Sequence, residues 1–305
     1  MWKARQILVN GELMPFEQAS VHPLSLAMAY ATTVFEGIRA YHQPDTGEFF
    51  LFRLDDHLRR LGYGMKVMRM NASFSRAQLA TDINRVIRAN EPDDDVYLRL
   101  LVYVEAIGML ATSEPIGYTI AAIPRERPTT AKSGVSLGVS SWSRLPDNAS
   151  PPRIKATANY HNARLTQLQA KADGYDGALM LTPSGKVSEA PIACFFMVRD
   201  GQLITPGVTS NILESITRDT IIRLHEEAGG TVVQRDVDRS ELYLAEEAFI
   251  CGTGQEILPV TAVDKLPVGN GAVGPITQQL QQQYFDTVRF GKGGQPQWRT
   301  LVPAD

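Results

Sequence analysis

Short apolar runs alternate with amphipathic stretches in the first part of the chain. Residues 7–9 and 12–14 flank Asn10-Gly11, a dipeptide that favours the type I′ turn of a β-hairpin. After a short apolar run at 49–52, apolar residues spaced three and four apart predict a helix. A second helix is predicted to begin at Ser75, because a glutamine three residues later completes a capping-box pattern. Strands are predicted where β-branched and aromatic residues cluster, at 96–104, 118–123 and 135–141.

The second part of the chain repeats this mixture of the two periods. Helices are predicted at 159–173, 216–228 and 275–290, and short strands at 178–181, 194–198, 202–204 and 249–251. Such a mixture predicts an α+β or mixed α/β fold. A charged, proline-bearing stretch separates two of the strands, so we predict a small N-terminal domain, a linker and a larger C-terminal domain, at 1–124, 125–134 and 135–305.

Composition narrows the classes of function. With 305 residues and 44% hydrophobic residues the chain can bury a sizeable core, and its net charge of −3 gives no support for nucleic acid binding. No apolar run is long enough for a membrane span, and no signal peptide is recognised at the N-terminus. Cys194 and Cys251 lie in apolar runs and are read as reduced core residues of a cytoplasmic protein, while five scattered histidines give no support for a metal site.

Three short motifs carry residues that could react or bind a ligand. Lys155 stands among small residues just before a predicted helix; it is either a solvated cation or an amine that forms a Schiff base. Ser215-Ile216-Thr217 begins another helix, where free N–H groups suit a phosphate or simply a capped helix start. Gly252-Thr253-Gly254 follows a strand and lacks the full glycine pattern of a dinucleotide site. From these residues alone, the chain is a candidate enzyme with an anionic cofactor.

Read together and in order, the motifs make the chain resemble the branched-chain amino acid aminotransferases, which are fold-type IV pyridoxal-phosphate enzymes. The resemblance extends from about residue 8 to residue 290. The matching stretches are Tyr30-Ala-Thr-Thr-Val-Phe35-Glu-Gly37-Ile-Arg39, His57-Leu-Arg-Arg60-Leu, Tyr97-Leu-Arg99, Ser140-Ser-Trp142, Lys155-Ala-Thr-Ala-Asn-Tyr160, Gly174-Tyr-Asp-Gly-Ala, Ser188-Glu189, Leu203-Ile-Thr-Pro206, Ile216-Thr-Arg218 and Gly252-Thr253-Gly-Gln-Glu-Ile-Leu-Pro259.

The resemblance implies pyridoxal 5′-phosphate as the cofactor and transamination of leucine, isoleucine and valine with 2-oxoglutarate, by a ping-pong Schiff-base mechanism. Lys155 would hold the cofactor and then move a proton, which calls for an amine with a lowered pKa. Glu189 would pair with the pyridine nitrogen and Tyr160 would bond the ring's phenolic oxygen. The phosphate would be held by Arg60, by the backbone N–H groups of Ile216 and Thr217, and by the Thr253 hydroxyl.

The same resemblance implies substrate contacts. Arg99 would pair with the side-chain carboxylate of glutamate, and Tyr97 with the N–H groups of Thr253 and Gly254 would hold the α-carboxylate. Apolar walls would come from Tyr30, Phe35 and Trp142, with Gly37 leaving room for branched side chains; for these aromatics, ordinary core packing is the alternative. Met109 would reach the site of a neighbouring subunit, which implies a homodimer or a higher homo-oligomer of a cytoplasmic enzyme of branched-chain amino acid biosynthesis.

Two stretches depart from the pattern of the family. Residues 190–195 carry Pro191 and Cys194 where relatives usually have small residues and asparagine, and residues 213–215 replace the usual proline and glycine. The linker also lacks an aromatic that some relatives place there. An R-selective amine or D-amino-acid transaminase of the same fold is therefore an alternative prediction, as is a catalytically silent protein that binds pyridoxal phosphate.

Overall fold

The computed structural model describes residues 4–125 and 129–303. Its strands are β1 (Gln6–Val9), β2 (Glu12–Pro15), β3 (Thr33–Gln43), β4 (Glu48–Phe52), β5 (Val96–Val104), β6 (Ile116–Pro124), β7 (Val135–Val139), β8 (Gly177–Leu179), β9 (Cys194–Arg199), β10 (Gln202–Thr205), β11 (Val232–Gln234), β12 (Glu247–Gly252), β13 (Glu256–Val263), β14 (Leu266–Pro267) and β15 (Arg299–Leu301). Its α-helices are α1 (Leu26–Tyr30), α2 (Leu54–Val67), α3 (Arg76–Asn90), α4 (Thr130–Ser133), α5 (Thr157–Ala172), α6 (Ile216–Glu227) and α7 (Pro275–Phe290).

Seven strands form a first sheet that is antiparallel throughout, in the order β15-β4-β3-β5-β6-β1-β2. The predicted hairpin is confirmed: β1 pairs with β2, and both residues of its turn, Asn10 and Gly11, have positive φ, as the type I′ geometry requires. β15 comes from the far end of the chain and completes the edge beside β4.

Helices α2 and α3 cover one face of the first sheet. The apolar stripe of α2 is buried through Leu54, Leu58 and Leu61, which pack with strand residues in one hydrophobic core. The helix start predicted at Ser75 is confirmed, since its hydroxyl accepts a hydrogen bond from the backbone N–H of Gln78 at 3.1 Å. With these helices in place, the opposite face of β3 and β5 is left to form part of a cavity.

A second sheet has the order β11-β10-β9-β12-β13-β7-β8 and mixes parallel with antiparallel pairs. Helix α5 packs on β8, and α6 and α7 pack together beside β12. The predicted mixed α and β fold is confirmed, as are the hairpin at Asp200-Gly201 and the helix at 275–290. Cys194 and Cys251 are free thiols buried in this part of the fold.

The segment between the two sheets connects β6 to α4, and part of the predicted linker, residues 126–128, lies outside the described residues. The domain boundaries stay a prediction. Among the helices of the described ranges, none combines the length and apolar character that crossing a bilayer requires.

Candidate active site

A cavity of about 320 Å³ lies where the first sheet meets the second. Strands β3 and β5 and helix α2 contribute one wall, and the turn before α5, the segment around Glu189 and the β12–β13 turn contribute the other. Ten of the residues proposed from the sequence line it: Phe35, Gly37, Arg60, Tyr97, Arg99, Lys155, Tyr160, Glu189, Thr253 and Gly254. The described lining is strongly cationic, with four arginines and a lysine against a single carboxylate. Such a cavity favours a ligand with several negative charges.

Lys155 is fixed by its backbone to the first sheet. Its carbonyl accepts a hydrogen bond from the N–H of Phe35 at 2.9 Å, and the next residue forms a bridge with β3. The turn before it is tied down by Asn159, a buried residue whose side-chain amide donates to the carbonyls of Pro151 and Ile154. The Lys155 amine reaches into the cavity, 2.6 Å from the hydroxyl of Tyr160 and above the ring of Phe35. A lysine before α5 and a phenol in its first turn, five residues apart, are thereby held in contact.

The lowered pKa expected for the lysine is not found for the free amine. Burial is the largest influence and opposes the charge of Lys155, but Tyr160, Tyr97 and Glu36 together outweigh it, and the pKa of the amine lies above its usual 10.5. Arg60 also opposes the charge. The expectation considered desolvation alone and left out these partners, which sequence does not reveal.

Arg60 enters the cavity from α2 and is held from behind by Glu36. Two nitrogens of its guanidinium bond the two oxygens of Glu36 at 2.7 Å, and a third donates to the carbonyl of Glu214 at 2.9 Å. His57 bonds the same carboxylate through Nδ1 at 2.7 Å. Burial opposes the charge of Glu36, which has no exposed surface, but Arg60 and His57 outweigh it and lower the pKa of Glu36 to about 2. The carboxylate therefore stays ionised and fixes the arginine.

Glu189 is buried and bound on several sides. Arg144 lies 2.7 Å from one of its oxygens, and the N–H of Leu213 donates to the carboxylate at 3.2 Å. The thiol of Cys194 donates to it at 3.6 Å, since burial raises the pKa of that thiol and keeps the proton on sulfur. Burial also raises the pKa of Glu189, while Arg144 opposes that rise. The departure at Cys194 thus keeps a donor to the carboxylate in place of an amide.

The start of α6 lies beside Arg60, which bonds the carbonyl of Glu214. Ser215 caps the helix by accepting from the N–H of Arg218, and its side chain lines the cavity. The first N–H groups of a helix have no partner within the helix, and those of Ile216 and Thr217 belong to this first turn. The departures at 213–215 are therefore part of the site: Leu213 bonds Glu189 and the Glu214 carbonyl bonds Arg60.

Side chains of alternate residues on β3 and β5 form one side of the cavity. Phe35 pairs with Leu101 and Gly37 with Arg99, so these four lie on one face of the sheet. Tyr97 lies across Gly37: a Cβ at residue 37 would stand 1.8 Å from the tyrosine hydroxyl, and only glycine leaves the space. Arg99 lies 5.9 Å from the ring centre of Phe35. This side of the cavity combines an aromatic wall with a guanidinium.

Five proposed residues do not line the cavity of the single chain. Ile216 and Thr217 are buried just behind its surface, at the start of α6. Tyr30, Trp142 and Met109 are 51%, 46% and 81% exposed. Tyr30 is nevertheless close to the site, because the carbonyl of the residue after it accepts from the Thr157 hydroxyl, two residues beyond Lys155.

Sequence reasoning missed three residues that shape the cavity: Glu36, Arg144 and Arg125. Glu36 stood within a matching motif without a role, and its position between Phe35 and Gly37 was the available signal. Arg144 follows Trp142 closely and reaches Glu189 from 45 residues away. Arg125 lines the cavity from the end of β6.

Comparison with known proteins defines the class. Residues 33–263 match the family model described as amino-transferase class IV. The chain therefore belongs to the class IV aminotransferase family.

Similar proteins within and near this family carry one common description. The branched-chain-amino-acid aminotransferase of Escherichia coli strain K12 is 39% identical over 292 residues, covering 93% of each chain. The crystal structure of the E. coli branched-chain amino acid aminotransferase superimposes with a TM-score of 0.94 at 36% identity and covers 99% of this chain and 100% of that one. The pyridoxal-phosphate form of the Thermobaculum terrenum branched-chain amino acid aminotransferase has a TM-score of 0.92 at 40% identity, covering 99% of each chain.

Proposed function

We propose that the cavity is the active site of a branched-chain amino acid transaminase that uses pyridoxal phosphate and carries it on Lys155. One observation carries this assignment: the Lys155–Tyr160 pair, Arg60 and the buried Glu189 line a single cavity. The relatives support the reaction, since transamination of branched-chain amino acids is the activity in their names. The chain is thus an aminotransferase that converts leucine, isoleucine and valine with 2-oxoglutarate.

The residues present fit the cofactor. A dianionic phosphate matches the pocket of Arg60 and the α6 N-terminus, and a pyridine nitrogen matches a buried carboxylate such as Glu189. Tyr160 supplies a hydroxyl beside the amine of Lys155. When bound, pyridoxal phosphate supplies an electron sink for the carbanion formed at the substrate Cα.

The protein's own residues then orient and move protons. We infer that the Lys155 amine would move the proton between the substrate Cα and C4′ of the cofactor, because it is the only amine among the described lining residues. Tyr160 holds that amine in place at 2.6 Å. Glu189, with its pKa raised by burial, is a strong acceptor for a proton on the ring nitrogen, and Arg144 fixes its direction.

Substrate selection follows from the side of the cavity that β3 and β5 form. Phe35 provides an apolar wall, and Tyr97 across Gly37 closes the space beside it. Arg99 on the same face is placed to pair with a distal carboxylate, which lets one cavity take both leucine and glutamate. Apolar pockets separate side chains that differ by a methylene by only about 1–3 kcal/mol, so all three branched-chain amino acids are expected substrates.

Half-reactions of the holoenzyme with single amine donors test the proposal. L-leucine and L-glutamate should each convert the bound cofactor, followed by its visible absorbance, much faster than D-alanine or an R-arylalkylamine. Preference for either of the last two would assign the chain to the alternative transaminases. Absence of conversion with all four, in protein that has bound the cofactor, would favour the catalytically silent alternative.

Arg99→Gln should separate the two natural donors. Loss of a charge-assisted pair with a carboxylate is expected to cost about 1.5–3 kcal/mol, so kcat/KM for glutamate should fall roughly 10- to 100-fold. Leucine has no distal carboxylate, and its half-reaction should change little. Equal losses for both donors would remove Arg99 from the proposed role.

We further propose that the enzyme is a homodimer or a higher homo-oligomer. An apolar surface beside the cavity supports this assembly, with Leu24, Met28, Ile107, Met109 and Leu110 all at least 60% exposed. The two segments that carry them are joined by the bridge between Ser25 and Ile107. Exposed apolar surfaces of this kind mark protein interfaces.

Leu110→Asp should weaken that assembly. A buried carboxylate at an interface lacks a partner, so the dissociation constant measured by sedimentation velocity should rise by about tenfold or more. Leu244→Asp is the matched control, because Leu244 is similarly exposed, at 60%, and lies elsewhere. Equal behaviour of the two variants would place the interface on another surface.

Two smaller assignments remain proposals. The domain division at 1–124, 125–134 and 135–305 is supported by a hydrophobic core beside each sheet, although a third core joins Tyr41 and Phe52 to the second sheet and β15 returns to the first. A reducing, cytoplasmic compartment is supported by the free thiols of Cys194 and Cys251.

A further inference from the structure

Arg125 lies at the rim of the cavity where β6 ends. On β6 and β5, Ile123 pairs with Tyr97 and Ala121 with Arg99. Side chains alternate between the faces of a sheet, so residue 125, two beyond Ile123, continues the row that faces the cavity. The N–H of Arg125 still donates to the Asp95 carbonyl at 3.0 Å, which extends the pairing of the two strands by one step.

The backbone and the side chain of Arg125 are both tied to the substrate end of the site. Its carbonyl accepts from Nη1 of Arg39 at 3.4 Å, and Arg39 also donates to the Thr253 carbonyl at 3.2 Å. The Arg125 guanidinium donates to the carbonyl of Gly254 at 3.4 Å. Arg39 is fully buried and links the backbone of residue 125 to that of Thr253, so residue 125 is held next to the β12–β13 turn.

That turn is the place assigned above to the substrate's α-carboxylate, through the N–H groups of Thr253 and Gly254. We propose that Arg125 is a specificity-determining residue that binds this α-carboxylate and so selects amino acids and oxo acids over simple amines and ketones. This inference rests on the proposed function and deepens it. Each carboxylate of glutamate then has its own arginine. Arg99 on β5 binds the side-chain carboxylate, and Arg125, beside Gly254, binds the α-carboxylate.

The two arginines are therefore expected to affect the affinity for different ligands. A ligand with one carboxylate uses Arg125, whereas a dicarboxylate uses both. A neutral amide of the same shape uses neither charge and reports only the apolar cavity. This difference separates a carboxylate-binding role for Arg125 from a structural role in the segment after β6.

Unreactive probes measure the role of Arg125 directly. The holoenzyme is titrated with 4-methylpentanoate and with its neutral isostere 4-methylpentanamide, by calorimetry or by the absorbance of the bound cofactor. Arg125→Gln should weaken the carboxylate roughly 10- to 100-fold, the size expected for a lost charge-assisted bond, and leave the amide unchanged. Arg125→Lys should recover part of the loss, and Arg164→Gln, on the exposed face of α5, should alter neither affinity.

Several results would overturn the inference. They are unchanged carboxylate binding in Arg125→Gln, equal weakening of acid and amide, or a wild-type protein that does not prefer the acid to the amide. Turnover of leucine with 2-oxoglutarate by the wild type tests the proposed function separately. Turnover together with unchanged probe binding in the variant would therefore reject the role of Arg125 and leave the transaminase assignment intact.

Discussion

Lys155→Ala should lose transamination of leucine by about 10⁴-fold, the upper range for removal of a group that transfers protons in the transition state. Lys155 is the only amine among the described residues that line the cavity, and the residue that holds it, Tyr160, is itself part of the lining. The measurement is single-turnover conversion of leucine at saturating cofactor.

Lys171→Ala provides the matched control for this loss. Lys171 lies on the exposed last turn of α5, the helix that Lys155 precedes, and its removal should leave the rate unchanged. Circular dichroism on both variants confirms that each is folded. A Lys155→Ala protein with a rate within about tenfold of the wild type would reject Lys155 as the proton-transferring group, since a positioned acid–base group contributes at least 10²-fold.

Glu36→Gln should destabilise the apoprotein by about 3–5 kcal/mol, because removal of one partner leaves the other charge buried and uncompensated. The variant keeps the shape of the side chain but withdraws the negative charge from Arg60, whose guanidinium makes two bonds of 2.7 Å to it. His57 loses the same acceptor. Since Arg60 is then no longer fixed toward the α6 N-terminus, affinity for pyridoxal phosphate should fall as well.

The pH dependence of stability follows from the same carboxylate. Its pKa is about 2 in the folded protein against a usual value of 4.5, so the unfolded chain binds the proton more readily. The stabilisation is therefore complete above about pH 4.5 and is lost as the pH falls towards 2. A shift of this size corresponds to about 3 kcal/mol, in line with the expected mutational loss. Burial lowers the pKa of His57, so the unfolded chain also binds the histidine proton more readily, and a falling pH adds a destabilisation of the same sign.

Urea unfolding of the apoprotein, at neutral pH and at pH 3, measures both effects without a contribution from bound cofactor. Glu91→Gln is the matched control, because Glu91 pairs with Arg5 at the same 2.7 Å but on an exposed surface. That pair should contribute no more than about 1 kcal/mol. A Glu36→Gln protein as stable as the Glu91→Gln control would contradict the buried network.

Local chemistry allowed much of the fold to be predicted from the sequence. Asn10-Gly11 supplies the two positive φ values of its turn, and Ser75 supplies the cap of α3, so both elements depend on residues next to one another. Strand β3 was not predicted as a strand from the pattern, although its motif was noted. Nine successive residues of β3 are buried, and burial on both faces removes the alternation that identifies a strand.

The limits for the site have a similar cause. The positions of Lys155, Tyr160 and Glu189 could be predicted through resemblance, because each stands in a contiguous motif. The bonds that give them their properties join distant parts of the chain: Glu36 lies 24 residues from Arg60, and Glu189 lies 45 from Arg144 and 24 from Leu213. Sequence spacing shows none of these contacts, which explains why a lowered pKa was expected for Lys155 when its partners raise it.

Covalent trapping tests the central assignment most directly. The holoenzyme is reduced with borohydride, digested, and mapped by mass spectrometry for the phosphopyridoxyl group. We predict that the group is found on Lys155, in near-stoichiometric yield, and that Arg60→Ala lowers the occupancy without moving it. A phosphopyridoxyl group on any other lysine, or none in protein that turns over leucine, would contradict the account.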